Sequence, residues 1–179
     1  VGLIQSTWGG THAESWTSMK VMENNPLYAD VLKQYSKERV SREKDKCKVP
    51  ATLWNGMIAP MVGYTVKGDI WYQGESNHEN APSYARLVSK MVEAWRKDFG
   101  WDFPFYYVQI APHTYGAKNN TPALLREQQE LMLGQVKNTA MINISDLVEN
   151  VKDIHPRNKR VIGERLACLA TVSYTHLTL

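Results

Sequence analysis

No stretch of the 179 residues approaches the roughly 20 consecutive apolar positions that a membrane-spanning helix needs, so nothing here reads as a helical anchor. Cysteine is scarce. Cys47 and Cys168 lie far apart and match no metal or redox spacing; one disulfide in an oxidising compartment and two unrelated thiols both fit. No internal repeat or low-complexity linker interrupts the chain, and its 43% hydrophobic and 22% charged content excludes disordered, collagen-like and coiled-coil classes. His12, His78, His113 and His155 show no zinc-ligand spacing. A third glycine after Gly9-Gly10 is absent and no Lys-Ser/Thr pair follows, which argues against a nucleotide-binding α/β domain.

What is present is ordinary globular protein of one domain's length. The net charge of +3 arises from 21 basic and 18 acidic residues, and the stretch from Lys33 to Lys48, with seven basic and three acidic, more than accounts for it. Its interspersed signs, as in Lys37-Glu38-Arg39, mark a solvated helix face. Tyr35 alone interleaves the charges, too little for the stacking surface that nucleic-acid binding requires, so no nucleic-acid partner is expected.

Both ends are unusual. Val1-Gly2-Leu3-Ile4-Gln5 reads as a buried strand, although termini normally lie in exposed, loosely held segments. At the other end, helical character over 157–170 gives way abruptly at Val172, and 172–179 resembles the translation of a sequencing adapter. The expected organisation is therefore a partial domain over 1–171 and a non-native tail over 172–179, with a short genuine strand as the alternative for the tail.

Between the ends, strands and helices alternate. Apolar β-rich runs occur at Val1–Ser6, Gly68–Gln73, Phe103–Ile110 and Thr139–Ile144. Helical patterns occupy Pro26–Lys48, Leu53–Val62, Pro82–Phe99 and Pro122–Val136, the last after Thr121 as a cap. Such alternation predicts parallel βαβ units with both sheet faces covered. Ligands of open parallel sheets bind at the carboxyl ends of the strands, so the residues following each strand carry the most information.

After the first run, the paired glycines of Trp8-Gly9-Gly10-Thr11 permit a sharp turn and expose N–H groups that can stabilise a developing oxyanion; a plain strand-to-helix turn is the simpler alternative. After the second, Tyr72-Gln73-Gly74-Glu75-Ser76-Asn77 places a Gln and a Glu at the end of an apolar strand. Capping of the next helix accounts for Ser76 and Asn77 but not for Gln73 or Glu75. After the last, the loop ends in Asp153-Ile154-His155-Pro156: histidine is the usual general base near neutral pH, and a carboxylate fixes its tautomer. Trp8, His113 and Tyr115 lie at strand ends, where they can line a site.

Taken in order, Val1 to Trp16, Leu53-Trp54-Asn55-Gly56-Met57-Ile58-Ala59-Pro60, Trp71-Tyr72-Gln73-Gly74-Glu75-Ser76-Asn77, Phe103 to Gln109, Leu125-Arg126-Glu127 with Gln129, and Asp153-Ile154-His155-Pro156 resemble the sialate O-acetylesterase-like branch of the SGNH/GDSL hydrolase superfamily. The resemblance implies an α/β fold, a flavodoxin-like three-layer α/β/α sandwich with a parallel sheet and its first central strand missing. It also implies removal of acetyl groups from sugar hydroxyls by a serine-histidine acyl-enzyme mechanism. It makes His155 the base, Gly9 or Gly10 and Gln73 oxyanion donors, and Glu75 and Asn77 supporting residues. Asp153 orients His155, with Asp146 or a bare Ser-His dyad as alternatives, because the Asp-to-His spacing is two rather than the three common in that superfamily. An acetylated carbohydrate is the implied partner, no cofactor or metal is needed, and export from the cytoplasm is expected.

The family's Gly-Gln-Ser-Asn-like nucleophile turn is missing from the chain, and Ser6 falls in a different motif block. The serine is therefore expected upstream of Val1. A catalytically inactive carbohydrate-binding domain on the same fold is the rival reading. Loss of a central strand leaves backbone groups unpaired at about 1–3 kcal/mol each, against a total stability of about 5–15 kcal/mol. The chain expressed alone is expected to be inactive and poorly folded. Cooperative unfolding together with turnover of p-nitrophenyl acetate would refute that expectation.

Overall fold

The computed structural model describes residues 2–35, 44, 46–114 and 120–176. Its sheet comprises β1 (Asp69–Trp71), β2 (Phe105–Val108) and β3 (Thr139–Ile142), all parallel and in the order β1-β2-β3. Asp69 pairs with Phe105 and Trp71 with Tyr107, while Phe105 pairs with Thr139 and Val108 with Ile142. β2 is central, and all four of its residues, Phe-Tyr-Tyr-Val, are buried. Aromatic and β-branched side chains covered on both faces are the signature of a parallel sheet's interior strand.

The helices are α1 (Met19–Glu23), α2 (Ala29–Gln34), α3 (Tyr84–Phe99), α4 (Thr121–Gln135) and α5 (Lys159–His176). The chain divides into two compact units, 1–65 with 86–101 and 66–85 with 102–179. In the second unit Tyr106, Val108, Ile142 and Ile144 pack against Ile162 and Leu166 of α5. On the opposite face of β2 the Tyr107 hydroxyl donates to the Gln129 carbonyl of α4 at 2.6 Å. Helices thus cover both faces, and the architecture is the expected α/β sandwich.

The first unit has its own core of Met22, Tyr28, Ala51 and Leu87, in which the Tyr28 hydroxyl donates to the Leu87 carbonyl at 2.9 Å. Burial pushes the Tyr28 phenol up from its ordinary value, and neighbouring Glu14 adds to the rise. The Trp95 indole donates to the Trp16 carbonyl at 3.0 Å, and its ring lies 6.2 Å from that of Trp54.

Several expectations are corrected. Residues 2–6 form no strand; Leu3 and Ile4 are exposed, because an apolar β-rich run becomes a strand only where a neighbouring strand offers a ladder, and no described strand does. The helix read over 26–48 is a 3-10 turn at Pro26–Tyr28 followed by α2, which stops at Gln34; residues 36–43 and 45 lie outside the description. Leu53–Val62 is a π-helical turn at Trp54–Ile58 and a 3-10 turn at Ala59–Met61, interrupted by Pro60. A 3-10 stretch at Glu75–Ser83 precedes α3. Thr121 is the first residue of α4, after Asn120 at the cap position. α5 continues into the tail as far as His176, so the strand alternative fails there. Cys47 and Cys168 are both free thiols.

At the amino end of β1 the Asp69 Oδ2 atom is buried with no hydrogen-bond partner. Burial pushes the carboxyl up to about 7 from an ordinary 3.8. The folded chain therefore keeps this proton to higher pH than the unfolded chain does. Stability falls as pH rises from about 4 to about 7 and levels off above. Asp69→Asn should abolish that decline, making the variant more stable than the parent at pH 8 by on the order of 1–4 kcal/mol. Denaturant unfolding at pH 4.5 and pH 8 measures this, and equal pH dependence in the two proteins would contradict it.

Candidate active site

The segment after β1 is fixed by side chains from two helices. The Tyr84 hydroxyl of α3 lies 2.9 Å from the Gln73 carbonyl and 3.0 Å from Gln73 Oε1, sharing its single proton between them. The Gln73 amide donates to Asn77 Oδ1 at 2.7 Å. Asn77 is buried inside the 3-10 stretch and does not cap it. Between Gln73 and Glu75 the chain passes through Gly74, where an added Cβ would stand 2.7 Å from Ile110 Cγ2 and 3.0 Å from Leu125 Cδ2. Only glycine lets the backbone come this close.

Below this turn sits the fully buried Gln129 of α4. Its Oε1 accepts from the Ile110 N–H at 2.8 Å. Its Nε2 donates to the Gln73 carbonyl at 3.2 Å and reaches the Val108 carbonyl at 3.4 Å. One amide thus satisfies backbone groups beyond the ends of both β1 and β2. A neighbouring network ties β2 to β3: Gln109 Oε1 accepts from Arg126 at 3.0 Å and from Asn143 at 2.6 Å, while Arg126 also donates to Ser145 Oγ at 2.7 Å. Burial draws the Arg126 guanidinium below its ordinary value.

The loop after β3 is shaped by two consecutive side-chain turns. Asn150 Oδ1 accepts from the Lys152 N–H at 2.9 Å, and Asp153 Oδ1 accepts from the His155 N–H at 2.9 Å. The Thr114 N–H donates to the Val151 carbonyl at 2.9 Å and holds the loop from outside. His155 Nδ1 stands 3.5 Å from Asp153 Oδ1, in ion-pair range and just beyond a hydrogen bond. Asp146 is engaged elsewhere: its carboxylate meets Arg165 through both oxygens, and that guanidinium holds the carboxyl below the usual range.

These two segments, far apart in sequence, converge. Burial raises the Glu75 carboxyl above its ordinary value; hydrogen bonds from the local backbone, and then the nearby His155 and Lys159, offset only part of the rise. Lys159 Nζ also lies 4.9 Å from the centre of the Tyr72 ring. A cleft of about 110 Å³ opens beside His155, lined by residues 147–150, 153 and 155–157.

The Gly9-Gly10 turn belongs to the first unit. The Thr11 hydroxyl spans it, donating to the Trp8 carbonyl at 2.8 Å and accepting from the Trp16 indole at 3.0 Å. Gly10 has φ +70°, the left-handed region that favours glycine. Trp8 is exposed, His113 is half-buried, and Tyr115 lies outside the described residues. Among the described residues no three His, Cys, Asp or Glu side chains gather as a metal site would require.

Sequence reasoning missed Tyr84 and Lys159 as builders of this end of the sheet, and placed Arg126 and Gln129 in a family motif without giving either a role. Gln129 alone carried a usable signal: it stands at helical spacing between the buried Leu125 and Met132, a polar residue at a core position.

Three comparisons bear on this geometry. The profile of a family described as carbohydrate esterase, sialic acid-specific acetylesterase, matches residues 1–171. Sialate O-acetylesterase of Mus musculus is 28% identical over 93% of the chain, and that of Homo sapiens 30% identical over 93%. The chain spans only 38% and 34% of those proteins. Among solved structures, a carbohydrate acetylesterase from Xanthomonas citri superposes with a TM-score of 0.74 at 34% identity, covering 90% of this chain and 34% of that one.

Replacing Gln129 by Leu keeps the volume but strands the Ile110 N–H in the interior and leaves the Gln73 carbonyl to Tyr84 alone. The expected loss is about 1–3 kcal/mol of unfolding free energy, measured by denaturant titration. A loss below about 0.5 kcal/mol would mean that these groups find other partners.

Proposed function

This chain belongs to the sialic acid-specific acetylesterase family of carbohydrate esterases, and from that membership we propose that it forms the base-bearing part of a serine esterase that removes acetyl groups from sugar hydroxyls. The observation that supports the reading most is the meeting of the segments after β1 and β3 at the carboxyl end of one parallel sheet, where Lys159, four residues after His155, stands 4.9 Å from the ring of Tyr72, the neighbour of Gln73.

In this reading a serine supplied by polypeptide outside residues 1–179 attacks the acetyl carbonyl. His155 takes the serine proton and returns it to the departing sugar oxygen; a second passage through His155, with water as nucleophile, releases acetate. Asp153 keeps His155 in place, chiefly by accepting its backbone N–H. The tie of Asp146 to Arg165 weighs against Asp146 in that role. Gln73, held by Tyr84 and Asn77, serves as a preorganised oxyanion donor, because a donor already oriented needs no rearrangement as charge develops. The resemblance assigns another donor to the Gly9-Gly10 turn. Glu75 and Asn77 support the segment without touching the reacting atoms. In this reading the enzyme acts outside the cytoplasm, where polymeric and cell-surface glycans lie.

The rival reading, a binding domain without catalysis, shares every residue except the serine. Joining the chain to its upstream coding sequence separates the two. The joined polypeptide is expected to hydrolyse p-nitrophenyl acetate, His155→Ala should abolish turnover without changing the fold, and Gln73→Ala should lower kcat by about 10²–10³. Unimpaired hydrolysis in His155→Ala would remove His155 as the base, and a Gln73→Ala effect confined to KM would remove Gln73 from the oxyanion site.

A further inference from the structure

Lysine is a poor choice for the first residue of a long helix. The aligned peptide dipoles leave positive charge at that end, and a further positive charge there is disfavoured. Yet α5 begins with Lys159, and no step of the proposed chemistry uses it. Although the residue is exposed, its Nζ lies 4.9 Å from the centre of the Tyr72 ring, within the range of a cation–π contact. Burial, and then the nearby Glu75, push the Tyr72 phenol above its ordinary value, so the ring is neutral and offers the lysine a π face, not a phenolate. The Tyr72 hydroxyl is buried without a hydrogen bond, so the ring is not anchored through its polar end. Lys159 in turn favours the charged form of Glu75.

The contact joins the two segments that carry the candidate chemistry. Tyr72 follows β1 and directly precedes Gln73. Lys159 stands four residues after His155, and the link between them is stiff. Pro156 is buried and its ring fixes φ. The Lys159 N–H donates to the Arg157 carbonyl at 2.9 Å, and Asn158 Oδ1 accepts from the Val161 N–H at 3.3 Å, capping α5. The apolar packing of α5 falls on β2 and β3, where Ile162 and Leu166 meet Tyr106, Val108, Ile142 and Ile144, with Tyr72 at the fringe. Lys159 therefore reaches past that packing to the end of β1. Proton transfer is sensitive to such placement: partners must stand within about 2.6–3.2 Å of each other, and an error of about 1 Å can cost on the order of a hundredfold in rate.

We propose that Lys159 is a positioning residue of the esterase: seated on Tyr72, it holds the His155 loop at a fixed span from the Gln73 segment, so that base and oxyanion donor serve the same ester group. Lys159 itself touches no reacting atom. The proposal rests on the reading of His155 as the base and Gln73 as the donor.

The test uses the joined, active polypeptide and two acetates, p-nitrophenyl acetate and peracetylated methyl glucoside. The nitrophenolate leaves as a stable anion, whereas a sugar oxygen must be protonated as it departs, so the sugar ester depends more on where His155 stands. Lys159→Met keeps the stem and loses the charge. It should lower the ratio of kcat/KM for the sugar ester to that for the aryl ester about tenfold. Lys159→Arg, whose guanidinium also stacks on aromatic faces, should restore the ratio to within about threefold of the parent. Tyr72→Leu should lower it as Lys159→Met does, and the two changes together should do no more than either alone. Both rates scale with the folded fraction, so a loss of folding leaves the ratio where it was. An unchanged ratio in Lys159→Met, a ratio as low in Lys159→Arg, or independent effects of Lys159→Met and Tyr72→Leu would overturn the proposal. A parent that fails to hydrolyse either ester would instead overturn the sugar-esterase reading beneath it.

Discussion

The side-chain amide of Gln129 is the interaction on which the functional end of the second unit depends. Parallel ladders satisfy backbone groups only while strands run side by side, and these strands are short: β1 ends at Trp71 and β2 at Val108. Just beyond them the chain must diverge to present side chains, and its N–H and C=O groups lose their partners while still inside the protein. Gln129 meets that need from the helix above, with its oxygen on Ile110 and its nitrogen on Gln73 and Val108. Gly74 follows from the same constraint, because the backbone can reach the amide only by passing where a Cβ would collide with Ile110 and Leu125. The backbone of Gln73 is thus held in part by a residue 56 positions later in the chain, while Tyr84 and Asn77 fix its side chain.

This explains which parts of the protein were legible in the sequence. Strand character in Phe103–Ile110 and Thr139–Ile144, the parallel arrangement and the importance of residues following each strand could all be read, since each reflects local composition or a general rule of sheets. Val1–Ser6 misled because composition reports a preference for extended backbone, whereas a strand also needs a neighbour. Trp54–Ile58 misled because apolar spacing does not distinguish an α-turn from a π-turn. Gln73, Glu75 and His155 were found as polar groups out of place. Their holders were not: Tyr84 and Lys159 act across long stretches of chain and look unremarkable where they stand, and Gln129, though a polar residue at a core position, does not show in the sequence which backbone groups it serves.

Two buried carboxyls at opposite ends of β1 show how burial and compensation divide. Glu75, beyond the carboxyl end, is raised by burial, but hydrogen bonds from the local backbone and the nearby His155 and Lys159 favour its charged form. Asp69, at the amino end, has burial alone. Both lose hydration; only one has partners to replace it. The compensated carboxyl stands with the candidate base, and the uncompensated one stands where no candidate chemistry lies. The cost at Asp69 is therefore one of stability, while the balance at Glu75 bears on the site itself.

The loop that carries His155 solves a related problem without a helix or strand beneath it. With the carboxylate two residues before the histidine, the oxygen that approaches Nδ1 is the same one that accepts the His155 backbone N–H. A separation of three would move the backbone bond to a different residue and leave the imidazole to be oriented by its side chain alone. The shorter spacing fixes the histidine's backbone first and its ring second, which suits an exposed side chain that has little packing to hold it. Asn150 repeats the device three residues earlier, so that the segment shaping the cleft and the segment presenting the candidate base are a single run of turns. A change in the turn at Asn150 would therefore be felt at His155 as well as in the cleft.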